Sequence, residues 1–155
     1  MDDCSGAITI RPFSPSDQLK AQEVILSGLQ EHWGARDPSK NPDLKDIATS
    51  YANAVFLIAC EDDGIVGTGA LVPRHSGVAE IVRMSVIPSH RRRGIGRRIL
   101  NELLRRAEAM SVRTVVLETT QTWHEVIEFY LAHGFAITHY QDGDVYFALK
   151  LPASR

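Results

Sequence analysis

The segment Arg91-Arg92-Arg93-Gly94-Ile95-Gly96 has the residue types and the spacing to bind a phosphate group. It follows an apolar, β-branched run over residues 80–87 and opens an apolar stripe at helical spacing over residues 95–110. A glycine-bearing turn that feeds a helix leaves several backbone N–H groups unpaired and pointing in one direction. These donors and the positive end of the helix dipole attract an anion, and glycine lets the main chain approach it. The segment therefore predicts a phosphate-bearing ligand at the start of the helix.

Two common phosphate-binding patterns do not fit this segment. A P-loop requires Lys and then Ser or Thr after its last glycine, whereas Gly96 is followed by Arg97 and Arg98. The dinucleotide fingerprint requires a small residue where Ile99 stands, and an early βαβ unit around it. Neither pattern explains the segment.

The segment instead resembles the acyl-CoA-binding motif of the GNAT N-acetyltransferase superfamily: Gln or Arg, two residues, Gly, one residue, then Gly or Ala. Arg91 to Gly96 matches this motif at each position. A second match, Phe129-Tyr130, three residues, then Gly134-Phe135, resembles a later superfamily element in which a helix ends and a strand begins. Gly134 suits the left-handed position after a helix. The resemblance covers residues 55–150.

The resemblance implies an α/β (α+β) fold with a mixed, mostly antiparallel central sheet of about seven strands, splayed between strands 4 and 5 and flanked by four helices. The hydrophobic pattern predicts the same element order, β-α-α-β-β-β-α-β-α-β-β. Among the less obvious elements, it predicts a short helix over residues 44–51 and a turn over residues 73–77.

The resemblance further implies acetyl-CoA as the acyl donor. No metal is expected, because the six histidines show no metal-binding spacing and no cysteine partner nearby. Main-chain groups of one strand are expected to bind the pantetheine arm, and a β-bulge there would free an N–H to polarise the thioester carbonyl. Ordinary core packing is the alternative role for the apolar residues of this strand, and both roles are compatible because the contacts use main-chain atoms. The expected cofactor-binding residues are Met84, Ser85, Val86, Arg91, Arg92, Arg93, Gly94, Ile95, Gly96 and Arg97.

Two side chains are candidates for acid–base catalysis. In the superfamily, the tyrosine that Tyr130 matches protonates or hydrogen-bonds the leaving thiolate, and the alternative is a tyrosine packed on the sheet. An alkyl amine with a pKa of ~10.4 is almost fully protonated at neutral pH, so a base contributes to the rate. Glu80 resembles the base of the histone acetyltransferase branch, with a solvent-facing glutamate as the alternative. Competing candidates are Glu118, His75, His124 and a water chain.

One position departs from the superfamily pattern. Seven residues before Tyr130, the superfamily often has an asparagine that contacts the cofactor, and this chain has Trp123. The missing hydrogen bond is expected from Thr119, Thr120, Gln121 or a water molecule.

Length and composition predict one domain over residues 1–155, because 155 residues with 44% hydrophobic content suffice for a single core. No apolar stretch approaches the ~20 residues that cross a bilayer, and residues 1–4 show no signal-peptide pattern. Two cysteines, Cys4 and Cys60, make no disulfide framework. A cytoplasmic protein without a membrane partner is therefore predicted.

The net charge of −2 conceals an asymmetry. Residues 1–79 carry six basic and eleven acidic side chains, whereas residues 80–155 carry eleven and eight. Seven arginines lie between residues 91 and 106, where the phosphate site is predicted. For Arg98, Arg105 and Arg106 a solvated helix face is the simpler interpretation. A near-neutral chain without interleaved aromatic residues disfavours nucleic acid as a partner.

The function that the resemblance implies is transfer of an acetyl group to a primary amine of a small molecule or peptide, by direct attack in a ternary complex. A non-catalytic acyl-CoA sensor of the same fold is the alternative. By resemblance, the acceptor site is expected from residues 30–51, with Trp33, Asp37, Asp43 and Asp46, and the three acidic residues favour a cationic amine. The acceptor, the acyl-chain preference and the oligomeric state stay open, although dimers are frequent in the superfamily.

Overall fold

The computed structural model describes residues 7–34 and 40–152. Within these ranges the chain forms four α-helices and seven strands, joined by turns and short 3-10 helices. The helices are α1 (Gln18–Trp33), α2 (Ile47–Ser50), α3 (Ile95–Ala109) and α4 (His124–Ala132). The strands are β1 (Ile8–Pro12), β2 (Val55–Glu61), β3 (Gly64–His75), β4 (Val78–Val86), β5 (Thr114–Thr120), β6 (Ala136–Gln141) and β7 (Asp144–Lys150). The predicted roles of Cys4 and Asp37 fall outside the described residues.

The strands form one sheet in the order β1-β2-β3-β4-β5-β7-β6. β4 and β5 are parallel, and the pairs β1–β2, β2–β3, β5–β7 and β6–β7 are antiparallel. The parallel register covers only three residue pairs, from Val78 with Thr114 to Glu80 with Val116, although both strands continue. The predicted fold class is confirmed, including the loss of pairing between the fourth and fifth strands.

Contacts divide the chain into two compact units, one within residues 1–72 and 82–103 and the other within residues 73–81 and 104–155. β4 and α3 contribute residues to both units. The organisation as a single domain over residues 1–155 stays a prediction. In the described part of the chain, no helix is both long and apolar enough to cross a membrane.

In the first unit, buried residues of the β2–β3 hairpin line the core. The five central residues of β2 are buried, and Ala21, Val24 and Ile25 of α1 pack in the same cluster, together with Leu44 and Ile47. Burial of these apolar side chains is the main stabilising contribution in this unit.

Two glycines of β3 allow α3 to lie close to the sheet. A Cβ on Gly67 would come within 3.0 Å of the Ile99 side chain, and a Cβ on Gly69 within 2.6 Å of it. Ile95, Ile99, Leu100 and Leu103 form the apolar stripe of α3 and are almost completely buried. The close contact holds the first two turns of α3, and with them the segment that the sequence predicts to bind phosphate.

In the second unit, β5 pairs with β7 along its whole length. Val115 and Leu117 of β5 are buried on one face with Val145 and Phe147 of β7, whereas Glu118 is exposed on the opposite face. Because strand side chains alternate, this pattern gives the unit one packed face and one polar face.

Two predicted elements are wrong in detail. The predicted turn over residues 73–77 is shorter, because β3 continues through Pro73 to His75 and the chain reverses at Gly77, whose φ of 74° is left-handed. The predicted helix over residues 44–51 is divided into a 3-10 turn (Pro42–Lys45) and α2. Asp46 causes the division, because its carboxylate accepts a hydrogen bond from the Thr49 N–H at 3.1 Å and so caps a new helix.

Candidate active site

The segment before α3 turns sharply into the helix. After a 3-10 turn over Pro88–His90, Arg92 and Gly94 take left-handed φ values of 64° and 78°, and α3 starts at Ile95. Glycine takes this conformation without steric cost, which explains the requirement for glycine at position 94.

The main chain at the start of α3 has open donors. The first backbone hydrogen bond of the helix runs from the Arg98 N–H to the Gly94 carbonyl, at 3.0 Å. Within the described residues, the N–H groups of Gly94, Ile95, Gly96 and Arg97 find no acceptor. Four N–H groups therefore point away from the N-terminus of a fifteen-residue helix, with the helix dipole behind them. This geometry suits a phosphate or diphosphate.

The basic side chains around these donors are mostly held by carboxylates of the protein. Arg91 donates two hydrogen bonds to Glu31 of α1, at 2.8 and 2.5 Å, and its Nε donates to the Val86 carbonyl at 3.0 Å. The guanidinium of Arg91 therefore fastens the segment to α1 and β4. The expectation that this side chain binds the cofactor stays a prediction.

A second carboxylate holds the other side of the segment. Glu61, at the end of β2, pairs with His90 Nε2 at 2.8 Å and with Arg93 Nη2 at 3.2 Å. The hydrogen bond with His90, and secondarily that from Arg93, lowers the pKa of Glu61 below its ordinary value of 4.5. Sequence reasoning missed Glu31 and Glu61, because each lies about thirty or more residues from its partners and matches no motif.

The strand β4 changes conformation at Arg83. This residue has a left-handed φ of 59° inside the strand, and the alternation of buried and half-buried residues ends after Ile81. A left-handed residue within a strand is typical of a β-bulge, which frees a main-chain group from the ladder. Met84, Ser85 and Val86, the residues expected at the pantetheine arm, follow directly and are half-buried. Their role stays a prediction.

The Arg83 side chain enters a cluster that the sequence did not reveal. Its guanidinium binds the Asp43 carboxylate through Nε at 3.0 Å and Nη2 at 2.7 Å, and Asp43 also accepts a hydrogen bond from the Tyr51 hydroxyl at 2.5 Å. Burial, followed by the hydrogen bond to Asp43, raises the pKa of Tyr51 to about 12. Burial opposes ionisation of Asp43, yet the Arg83 and Tyr51 hydrogen bonds hold its pKa below the ordinary value. The cluster thus contains one fixed ion pair and a neutral phenol.

Tyr130 lies in α4 of the second unit and is 5% exposed. Its ring packs against those of Phe129, Phe135 and Phe147, with centroids 5.1, 5.6 and 5.9 Å away. Burial raises the pKa of the Tyr130 phenol well above its ordinary value, so the hydroxyl keeps its proton. Within the described residues this hydroxyl has no hydrogen-bond partner, and no fully enclosed side-chain oxygen or nitrogen is left unpaired. The Tyr130 oxygen therefore remains open to a ligand or to solvent.

The candidate base Glu80 and its competitor Glu118 lie on the polar face of the second unit. Arg74 binds the Glu80 carboxylate through Nε and Nη2, each at 2.7 Å. Partial desolvation raises the pKa of Glu118, and so do the neighbouring carboxylates of Asp144 and Glu80, against a hydrogen bond from Tyr146 that lowers it. The face therefore carries three carboxylates, one of which is shifted toward the pKa range of a general base.

Trp123, which replaces the asparagine of the superfamily pattern, is the N-cap of α4 and makes no side-chain cap. Thr119 is buried and Thr120 pairs with Asp144 in the β5–β7 ladder. The group that replaces the asparagine stays a prediction.

Comparisons with known proteins agree on one family. A family model described as "Acetyltransferase (GNAT) family" matches residues 23–135. The chain is 30% identical over 131 residues to "IAA acetyltransferase" of Azospirillum brasilense, which covers 83% of this chain and 84% of that protein. It is 31% identical over 103 residues to "N-acetyltransferase 8F1" of Rattus norvegicus, which covers 62% of this chain and 47% of that protein.

Solved structures share the fold. A GNAT-family acetyltransferase from Staphylococcus aureus has a TM-score of 0.87 at 22% identity, over 94% of this chain and 100% of the other. The PaiA N-acetyltransferase of Thermoplasma acidophilum, solved in complex with coenzyme A, has a TM-score of 0.82 at 22% identity, over 94% and 99%. The fold is therefore that of known acetyltransferases. The chain belongs to the GNAT acetyltransferase family, and the resemblance stated from its motifs is confirmed.

Proposed function

We propose that the protein is an acetyl-CoA-dependent N-acetyltransferase that acts on a primary amine of a small molecule or peptide in a ternary complex. The observation that carries the proposal is the row of open N–H groups from Gly94 to Arg97 at the start of α3, in a chain of the GNAT family. A relative of the same fold is solved with coenzyme A, which supports the choice of cofactor.

In this proposal, the main chain of residues 94–97 binds the diphosphate of coenzyme A. The open donors, the left-handed Gly94 and the tether of Arg91 to Glu31 support this role. Arg97 is exposed beside Gly94 and adds a positive charge. Main-chain groups of Met84, Ser85 and Val86 hold the pantetheine arm, supported by the irregular backbone at Arg83. The bound cofactor supplies an activated acyl thioester.

The acid and the base are proposed from the second unit. Tyr130 keeps its proton because its phenol is buried, and its oxygen is open, so it can donate that proton to a leaving thiolate. Glu80 accepts a proton from the acceptor ammonium, and the contact with Arg74 orients its carboxylate. Glu118 is the competing base because its pKa is raised. Attack by the neutral amine on the thioester carbon forms the amide and releases the thiol.

Two relatives named as acetyltransferases favour turnover over the alternative of a non-catalytic acyl-CoA sensor. A cytoplasmic location, which rests on the cysteine content and sequence pattern, and a homodimeric state, which rests on the family resemblance, belong to the same proposal.

A thiol-release assay with acetyl-CoA over a panel of amines, amino acids and peptides tests the proposal, with mass spectrometry of the product. We expect amine-dependent thiol release and an acceptor that is heavier by one acetyl group. Tight coenzyme A binding without turnover of any acceptor would instead establish the sensor. Failure to bind coenzyme A would remove both assignments.

A further inference from the structure

Arg83 occupies a backbone conformation that arginine rarely adopts. Its φ of 59° is left-handed, and such residues persist only where the surrounding structure holds them. Here the Arg83 carbonyl accepts a hydrogen bond from the Thr68 hydroxyl at 2.7 Å, and the side chain is anchored by Asp43. A strained residue that is held at both its main chain and its side chain is a candidate for a functional role.

The ion pair with Asp43 orients the Arg83 guanidinium and engages the Asp43 carboxylate. Asp43 accepts two hydrogen bonds from Arg83 and a third from Tyr51. Asp46 is also engaged, because it caps α2 through Thr49. These two carboxylates were expected to attract a cationic acceptor, and both are occupied by groups of the protein. The expectation of a cationic acceptor therefore loses its support within the described residues.

The guanidinium of Arg83 keeps an unused edge. An arginine has five N–H donors in a planar fork, and Asp43 takes the donors on Nε and on one side of Nη2. The Tyr51 hydroxyl also lies beside the guanidinium, but the hydrogen bonds of Arg83 within the described residues are made by Nε and Nη2, and no fully enclosed side-chain nitrogen is left unpaired there. Nη1 is therefore reached from outside, although the side chain is only 20% exposed. A half-buried guanidinium with a free edge is suited to a planar carboxylate.

We propose that Arg83 binds the carboxylate of the acceptor, and that the acceptor is a small amino acid or a similar compound with both a primary amine and a carboxylate. The inference rests on the proposed function, because it uses the expected place of the pantetheine arm. Residues 84–86 are proposed to hold that arm, and successive strand residues are ~3.3 Å apart, so a carboxylate on Arg83 lies within a few residues of the acyl group.

Matched pairs of acceptors provide the test. Each pair consists of an amino acid and its decarboxylated amine, for example phenylalanine with phenethylamine and leucine with isoamylamine. For the wild-type protein we expect kcat/KM to be about tenfold to a hundredfold higher for the carboxylated member, the range that a hydrogen bond to a charged group provides. In Arg83→Gln this ratio should fall to near one, and any change in the KM for acetyl-CoA cancels in the ratio because both members of a pair use the same acyl donor.

Two further variants separate recognition from folding. Arg11 forms a similar two-bond pair with Asp17 in the same unit, at 2.9 Å for each bond, so Arg11→Gln controls for the loss of an ion pair and should keep the wild-type ratio. Arg83→Lys keeps the charge and loses the fork, and should show an intermediate ratio if Arg83→Gln does not fold.

The outcomes separate the two proposals. If decarboxylated amines are acetylated as well as their amino acids, or if the ratio survives in Arg83→Gln, the carboxylate site is wrong and the acetyltransferase proposal stands. If wild-type protein acetylates no amine, the acetyltransferase proposal is wrong and the carboxylate site is wrong with it. Both proposals are supported if the wild type and Arg11→Gln prefer the carboxylated acceptor and the kcat/KM ratio falls to near one only in Arg83→Gln.

Discussion

The start of α3 and the end of α4 contain the two motifs that revealed the family, and they are built in opposite ways. At the start of α3, the main chain is open and the arginines are turned to protein carboxylates. At the end of α4, the main chain is closed by hydrogen bonds to the Tyr130 carbonyl, and the buried Tyr130 ring packs against Phe129, Phe135 and Phe147. The first motif specifies a backbone shape, and the second specifies the position of one side-chain atom.

This difference separates two kinds of residue within one motif. In the segment from Arg91 to Gly96, the glycines shape the donors, whereas Arg91 and Arg93 hold the segment in place. In the segment from Phe129 to Phe135, the phenylalanines pack against the ring, and the tyrosine oxygen is the group proposed to react. Substitutions at the two motifs should therefore change different quantities.

The largest effect is expected at the main-chain site. Gly96→Glu should reduce coenzyme A affinity at least about a hundredfold, because a side chain and a like charge would stand at the diphosphate position. Calorimetric titration measures the affinity. Asn101→Glu places the same charge on an exposed position of α3 and should bind coenzyme A normally. An unchanged affinity in Gly96→Glu would remove the site from the start of α3.

The next effect is expected at the side-chain site. Tyr130→Phe should lower kcat roughly 10²-fold and leave coenzyme A affinity unchanged, because it removes the proton donor and keeps the packed ring. Tyr140→Phe, at a tyrosine 63% exposed, is the matched control and should behave like the wild type. Wild-type turnover in Tyr130→Phe would leave this tyrosine a purely structural role.

A smaller effect should identify the base. Glu80→Gln should lower kcat/KM about tenfold and abolish the acid limb of its pH profile, since water partly replaces the base. Glu118→Gln removes the competing base, and the acid limb should remain in this variant if Glu80 is the base. Loss of the limb in Glu118→Gln instead would transfer the role to Glu118.

The smallest effect should come from the carboxylates that hold the arginines. Glu61→Gln should weaken coenzyme A binding a few-fold, because it loosens His90 and Arg93 without removing a main-chain donor. The pKa of Glu61 is lowered in the folded protein. The stabilising contribution of its pairs with His90 and Arg93 is therefore complete above the ordinary value of 4.5 and is lost as the pH falls through the lower pKa. Binding titrations at several pH values measure it, with Glu128→Gln, at an exposed glutamate of α4, as control. Equal affinity and equal pH dependence in both variants would contradict the role.

The element order could be predicted from the sequence because it depends on local patterns. The apolar run of β5, the apolar stripe of α3 and the glycines at positions 94 and 134 are all visible in short windows. The family followed from two such windows, and the position of the cofactor segment stays a prediction.

The rest could not be predicted, because it depends on pairs that are distant in the chain. Arg83 and Asp43 are separated by 40 residues, and Arg91 and Glu31 by 60. A surface carboxylate and one that holds an arginine look the same in a sequence, so the expected attraction of Asp43 for a cationic acceptor was lost when its partner became visible. The continuation of β3 through Pro73 was missed because a proline usually indicates a turn. The chain reverses at Gly77 instead, so Pro73 remains in the strand.

The donors at the start of α3 have a consequence for how this protein can diverge. Every residue except proline carries a main-chain N–H, so the exposed position 97 tolerates many replacements without losing a donor. A replacement there can alter the charge and solubility of this surface while the row of donors is kept. Under the proposed function, the acceptor preference can then change elsewhere in the chain without loss of these donors.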